Sequence, residues 1–223
     1  MAILLTIQQK IPQMTMLKTE LLAPAGSLEV IYPAVRMGAN AVYLGADIFS
    51  ARGNAGNFNR EQLLEAVKYC HARNVAVHLA CNTLIHDDEM ESALNLIKYA
   101  CEIGIDAIII QDMGLVSLIR KAAPNMTLHA STQMSVHTAE AAKMLYDMGF
   151  ERVVLARELS KTEIKEIADK LKSMNCPIEL EVFVHGALCM SVSGQCYMSA
   201  MLGGRSGNRG LCAQPCRLLP PNI

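Results

Sequence analysis

Four cysteines, Cys189, Cys196, Cys212 and Cys216, fall in one run from Glu181 to Cys216 that also holds six of the chain's fourteen glycines. Their spacings are seven, sixteen and four residues, and many of the residues between them are Gly, Ser and Asn, which let a backbone wrap closely around a bound group. Thiolates presented on a loop are ligands for soft metals. A single cysteine is most simply a small buried hydrophobe. Four of them in a Gly-rich run that is not expected to form a packed helix or strand point instead to a metal or redox role. Structural zinc favours cysteine pairs with about two to four residues between them, a pattern that only Cys212 and Cys216 meet. An iron–sulfur cluster on dispersed loop thiolates is therefore the better match.

Other candidate groups are sparser. His185 adjoins Gly186 and precedes Cys189, which places it at a strand end as a proton donor or substrate anchor. Asp47, Arg52 and Asn57 lie in a long loop rich in Gly and Asn, and loops of that length are often functional. Arg157 and Glu158 read as a local ion pair, and His129 as a satisfied core histidine. Cys70, Cys81, Cys101 and Cys176 lie in periodic segments or at element ends and read as packing residues. Neither an HExxH helix nor a GxSxG elbow is present, and Ser193 beside His185 would lack an acid partner.

Seven phrases of a short apolar run followed by an amphipathic segment must position these groups. The strand candidates are 21–25, 41–44, 76–80, 107–111, 127–131, 152–156 and 178–184, and helices are expected at 26–35, 61–71, 88–103, 114–122, 138–147 and from the capping box at Ser160 and Glu163. Short apolar strands alternating with helices imply a parallel α/β sheet. Gly26, Asp47, Asn82, Asp112, Gln133, Arg157, Glu158 and His185 each follow a strand. On a TIM-like (β/α) barrel they converge on one rim, whereas an open sheet would spread them along a crevice. The expected division is a poorly defined extension at 1–19, barrel units at 20–186 and a cysteine-rich loop at 187–223.

No eighth strand and helix follow, so the barrel is expected to be incomplete, with about seven units, and the chain to be a fragment or truncated product. The apolar run at 2–7 is the weaker candidate for an edge pairing. An open barrel would leave unpaired strand edges.

The composition is that of a globular chain long enough to bury a core, with 52% hydrophobic and 18% charged residues. A formal net charge of −1 supplies no global field for nucleic acid, so any RNA contact rests on local groups such as Arg205, Arg209 and Arg217. The 2–7 run lacks the basic flank and cleavage pattern of a signal peptide, and no stretch reaches the length of a membrane span. The thiols then read as reduced and the chain as cytoplasmic.

The motifs HGALC at 185–189, SGQCYMS at 193–199 and RSGNRGLCAQPCR at 205–217 resemble the hallmark of the peptidase U32 (collagenase-like protease) family. The resemblance extends to LAPAG at 22–26, YLGAD at 43–47, FSAR at 49–52 and HASTQ at 129–133, covering nearly the whole chain from about residue 20. It implies a barrel with additions at its C-terminal side. It also implies an iron–sulfur-dependent, oxygen-independent hydroxylation of a tRNA or rRNA base, or of a quinone ring, with prephenate as hydroxyl donor in the RNA cases. The cluster, expected as 4Fe-4S, would rest on Cys189, Cys196 and Cys212, with Cys216 or a cysteine beyond residue 223 of a longer relative as the fourth ligand. His185, Asp47 and Arg52 are then the catalytic candidates, and Asn57, Gln133, Arg205 and Arg209 the substrate contacts. The alternatives are a collagenase-like peptidase, or an inactive scaffold that needs a homologous partner subunit.

Overall fold

The computed structural model describes residues 3–7, 19–51, 56–186 and 189–218. Seven strands lie parallel and in chain order: β2 (Glu20–Pro24), β3 (Ala41–Gly45), β4 (Ala76–Cys81), β5 (Ala107–Ile110), β6 (Leu128–Ala130), β7 (Arg152–Val154) and β8 (Glu179–His185). The ring is closed by β1 (Ile3–Ile7), which runs antiparallel to both neighbours, with Leu4 opposite Leu22 of β2 and Leu5 opposite Val182 of β8.

This confirms a TIM-like barrel of seven β/α units and corrects two expectations. The strand edges are not left open, because an edge strand's unpaired N–H and C=O groups take whatever apolar extended segment can reach them. Part of the 1–19 stretch is likewise a barrel strand rather than an undefined extension.

Helices α1 (Leu28–Arg36), α2 (Arg60–His71), α3 (Met90–Ile103), α4 (Met113–Ala122), α5 (Ala139–Asp147) and α6 (Lys161–Ser173) follow the strands in turn. Their starts are set by local chemistry. Asn59 accepts from the Gln62 N–H at 2.9 Å while the Gln62 side chain accepts from the Asn59 N–H at 3.0 Å. Ser160 and Glu163 form the same reciprocal box, as the sequence predicts. Gly104 ends α3 in the left-handed region at φ 85°, a conformation that costs glycine little.

The main core lies between the sheet and these helices, where Ile108, Ile110, Leu115, Ile119 and Leu128 are fully buried. Each such side chain contributes about 1.5–3 kcal/mol by leaving water. Every residue of β5 is buried, as a strand covered on both faces requires.

The inside of the ring differs from the branched aliphatic filling usual for such barrels. Leu22, Ala41 and Val154 form a small apolar cluster there. Beside it Arg152 donates to Glu20 at 2.8 Å, Glu179 at 2.7 Å and Glu181 at 3.2 Å. Burial works against the Arg152 charge, but the Glu20 hydrogen bond and the charges of Glu181, Glu20 and Glu179 more than offset it and push its pKa up.

His78 and His129 meet edge to face with centroids 4.8 Å apart. The Nδ1 atoms of both are buried without a hydrogen-bond partner among the described residues, so His129 is not the satisfied histidine expected. Burial, reinforced by the Arg152 charge, lowers His78 to about 4; burial, then the charges of His78 and Arg152, place His129 well below its usual value. Cys70, Cys81 and Cys176 are buried as expected, whereas Cys101 is exposed because it faces outward on α3.

Candidate functional site

The cysteine segment after β8 is not wholly irregular. It contains α7 (Met198–Gly203), closed by Gly204 at φ 68°, and single 3-10 turns at Gly207–Arg209 and Pro215–Arg217. The buried hydroxyl of Ser199 on α7 accepts from the Ala213 N–H at 2.8 Å, which draws the Cys212 stretch back against the helix. The expectation that this run forms no helix is corrected at that point. Its residues 198–202 (MSAML) include the good helix formers Met, Ala and Leu, while Ser199 is the buried position of the helix.

Successive strand ends hold the segment across the C-terminal mouth. Arg209 donates to the Leu84 carbonyl beyond β4 at 2.8 Å and grips both Glu89 oxygens. The Asn208 carbonyl accepts from Gln111, beyond β5, at 3.4 Å. Gly194 (φ +75°) lies so close to β6's loop that a Cβ there would stand 2.0 Å from the Gln133 carbonyl oxygen.

Beyond β7, Ser193 sits fully buried between Arg157 and Glu158. Arg157 Nε donates to its hydroxyl at 3.0 Å, and its own N–H donates to Glu158 at 2.9 Å. Burial works against the Glu158 charge, yet the backbone N–H groups of Glu158 and Ser193 and the Arg157 guanidinium hold its carboxyl below the usual range. His137 stands 3.5 Å from the other Glu158 oxygen. Arg157 and Glu158 are thus the clamp that seats the cysteine segment rather than a simple rim pair. Ser193, fully buried and hydrogen-bonded by that clamp, has no access to a peptide carbonyl.

Strapped down in this way, Cys189, Cys196, Cys212 and Cys216 line one cavity of about 460 Å³, together with Gln133, Arg157 and Asn208. None of the four is in a disulfide; Cys189 and Cys216 are exposed and the other two half-buried. Cys212 Sγ accepts from the Gln214 N–H at 3.3 Å. Among the described residues no three His, Cys, Asp or Glu side chains are close enough together to hold a single metal ion. A polynuclear cluster lies between its thiolates and requires room among them, and four cysteines around one cavity have that arrangement.

The other candidates distribute unevenly. Gln133 lines the cysteine cavity with its Oε1 buried and lacking a partner among the described residues. Asn57 is half-buried, packed so tightly under Gly45 that a Cβ on that glycine would stand 2.9 Å from its Oδ1. Asp47, His185 and Arg205 are exposed, and none of them lines this cavity. Arg52 lies outside the described residues. Arg209, expected to contact substrate, is instead committed to Glu89, whose carboxyl its hydrogen bond holds at about 2.

A second cavity of about 180 Å³ opens inside the barrel mouth, lined by Tyr43, Asn82, Ser131, Thr132, Glu181 and Phe183 among others. The sequence reading missed Glu181 and Phe183. The signal was the alternation of Glu179, Glu181 and Phe183 with Leu180 and Val182, which marks one charged face of a strand.

A (β/α) barrel capped at its C-terminal mouth by a cysteine-lined loop defines the class of protein. The Peptidase family U32 profile matches residues 26–219, and the chain belongs to that family. It is 41% identical over 91% of its length to an uncharacterized protease of Methanocaldococcus jannaschii, covering 49% of that protein. It is 43% identical over 90% of its length to the 23S rRNA 5-hydroxycytidine C2501 synthase of Escherichia coli, covering 29%, and 38% identical over 90% to tRNA hydroxylation protein P1 of Bacillus subtilis, covering 46%. The chain therefore spans half or less of the length of these curated relatives.

Proposed function

We propose that this chain is the barrel of an RNA base hydroxylation protein, with an iron–sulfur cluster held by Cys189, Cys196, Cys212 and Cys216. The observation that carries the reading is the gathering of these four thiols on one cavity at the barrel mouth, where enzymes of this fold keep their active sites. The relatives named for rRNA and tRNA hydroxylation support the substrate class. The cluster supplies redox chemistry when bound. The chain's own residues do the rest: Ser193, Arg157 and Glu158 fix the loop, and Gln133 offers an amide oxygen to whatever enters the cavity. Prephenate is the proposed hydroxyl donor, a reducing compartment such as the cytoplasm the proposed location, and a homologous subunit a proposed partner.

The peptidase reading, which two relatives' names favour, requires an activated nucleophile with a base in reach, and Ser193 is sequestered. The test is rescue of hydroxylated nucleosides in cells lacking the modification, read by mass spectrometry of tRNA and rRNA, beside a collagen digestion assay. Restoration by the wild-type gene and failure by Cys189→Ser supports the hydroxylase. Collagen cleavage that persists in the iron-free protein, with no change in any nucleoside, reinstates the protease.

A further inference from the structure

We propose that Arg157, besides seating the cysteine segment, supplies the positive charge that raises the reduction potential of the cluster on Cys189, Cys196, Cys212 and Cys216. This rests on the iron–sulfur reading and adds which residue of this chain tunes the cluster's electron affinity.

Three observations carry the assignment. The first is place: the half-buried Arg157 lines the same cavity as the four cysteines. The second is the direction in which the charge is presented. Arg157 Nε donates to Ser193 Oγ at 3.0 Å, and that hydroxyl donates onward to Glu158 at 3.3 Å. The opposite charges thus meet through a hydroxyl. Arg157 is part of the cavity lining and Glu158 is not, so the positive end of this relay is the one turned to the thiols.

The third is the charge balance of the cavity. None of the described residues that line it is Asp or Glu, and the residues outside the described ranges include neither type. No carboxylate side chain in the lining therefore cancels the guanidinium.

Four thiolates make such a cluster anionic, and reduction adds one electron and one further negative charge without breaking a bond. Net charge, hydrogen bonds to sulfur and solvent exposure are the levers a protein has on that potential. A cation fixed in a half-buried site is screened less than one at the surface, and it favours the more negative, reduced form. Water entering the cavity would favour the reduced form as well, because it solvates the more highly charged state better. Removing the Arg157 charge and loosening its grip on the segment therefore move the potential in opposite directions, which separates tuning from seating.

The test is a redox titration of the full chain, reconstituted without oxygen, with dithionite as electron donor and the reduced cluster read by electron paramagnetic resonance. Arg157→Gln should make the cluster about tenfold harder to reduce, a fall of about 59 mV for a one-electron couple. Arg157→Lys keeps the charge and gives up the guanidinium fork, so it should restore most of the wild-type potential. An unchanged or raised potential in Arg157→Gln, or an equal fall in Arg157→Lys, overturns the proposal and leaves the cluster in place. Where Arg157→Gln holds no iron, Glu158→Gln decides, since it retains an acceptor for Ser193 and leaves the Arg157 charge unopposed. Its potential should rise while iron passes to a chelator at the wild-type rate. A potential that stays in place, or rises only together with faster iron loss, overturns the proposal. Wild-type chain that takes up no iron overturns the cluster reading itself.

Discussion

Arg209 holds Glu89 by two contacts, Nη1 to Oε2 at 2.6 Å and Nη2 to Oε1 at 2.5 Å, across 120 residues of sequence. The pair ties the last third of the cysteine segment to the start of α3. Both side chains are about a quarter exposed, so Arg209→Ala should cost about 1 kcal/mol of global stability or less. Its larger effect should be local, with faster trypsin cleavage at the exposed Arg205.

The pair's pH dependence has a fixed sign. The Arg209 hydrogen bond lowers the Glu89 pKa from 4.5 to about 2, so the unfolded chain binds the proton first. The contribution is complete above about pH 4.5 and is lost as pH falls toward 2. In urea unfolding, the gap between wild type and Arg209→Ala should close across that interval and not above it.

Gly194 is the tightest point of the strap. A methyl group there would stand 2.0 Å from a backbone oxygen that cannot swing aside, in a residue already at φ +75°. Left-handed strain alone costs a non-glycine residue about 1–2 kcal/mol. Gly194→Ala should therefore displace the cysteine segment while the barrel stays folded, leaving the far-ultraviolet circular dichroism intact and cutting reconstituted iron to a small fraction of the wild-type content. Iron retained at the wild-type level would show that the segment's seating does not govern the thiols.

The parts of the fold that depend on short-range patterns were readable from the sequence. Seven apolar runs, the Ser160 box and the residues after each strand led to a (β/α) barrel with its polar rim at one end. Closure by β1 was underrated because antiparallel pairing of a short apolar run has no periodic signature, and depends on an open edge that only the assembled ring presents. Arg209 was misread for a related reason: a cation in a glycine-rich loop looks free until the fold brings it to Glu89, 120 residues away. Arg157, read as a partner of Glu158 alone, also meets Ser193 from 36 residues away. The four cysteines were visible because thiols are rare and were dense. That they share one cavity rests on the folding back of α7, a step no local spacing encodes.

The buried pair His78 and His129 should make the barrel acid-sensitive. His78 is held neutral, lowered from 6.5 to about 4 by burial first and by the Arg152 charge second, with Glu20 and Asp106 opposing. Between those values the unfolded chain carries a proton that the folded chain refuses, so stability falls as pH drops from about 6.5 toward 4. At about 1.4 kcal/mol per pKa unit the loss reaches roughly 3 kcal/mol by pH 4. His78→Gln, close in size and unable to titrate, should flatten the slope of unfolding free energy against pH in this range. An unchanged slope would place the acid sensitivity elsewhere.

The last prediction separates ligand thiols from packing thiols. Cys70 and Cys81 are enclosed in the core, and burial pushes their thiols up to about 11 and about 12. They remain protonated at neutral pH without metal, and their full enclosure in the core keeps them from a cluster at the barrel mouth. Cys101 is exposed on α3, and its thiol too is raised, chiefly by partial burial. Only Cys189, Cys196, Cys212 and Cys216 are both accessible and turned to one cavity. Chain reconstituted without oxygen should hold about four irons with matching acid-labile sulfide, the stoichiometry of a cubane cluster. Cys189→Ser or Cys196→Ser should bring iron close to zero, because no spare cysteine lies near either in the sequence. Cys101→Ser should leave iron unchanged, and Cys70→Ala should lower stability by a few kcal/mol at most through its small cavity, again with iron retained. Cys216→Ser is the decisive variant for the fourth position. Loss as deep as that of Cys189→Ser makes Cys216 a ligand, whereas full retention assigns that position to another group. Equal iron loss in Cys101→Ser would show that the metal does not sit on the loop at all.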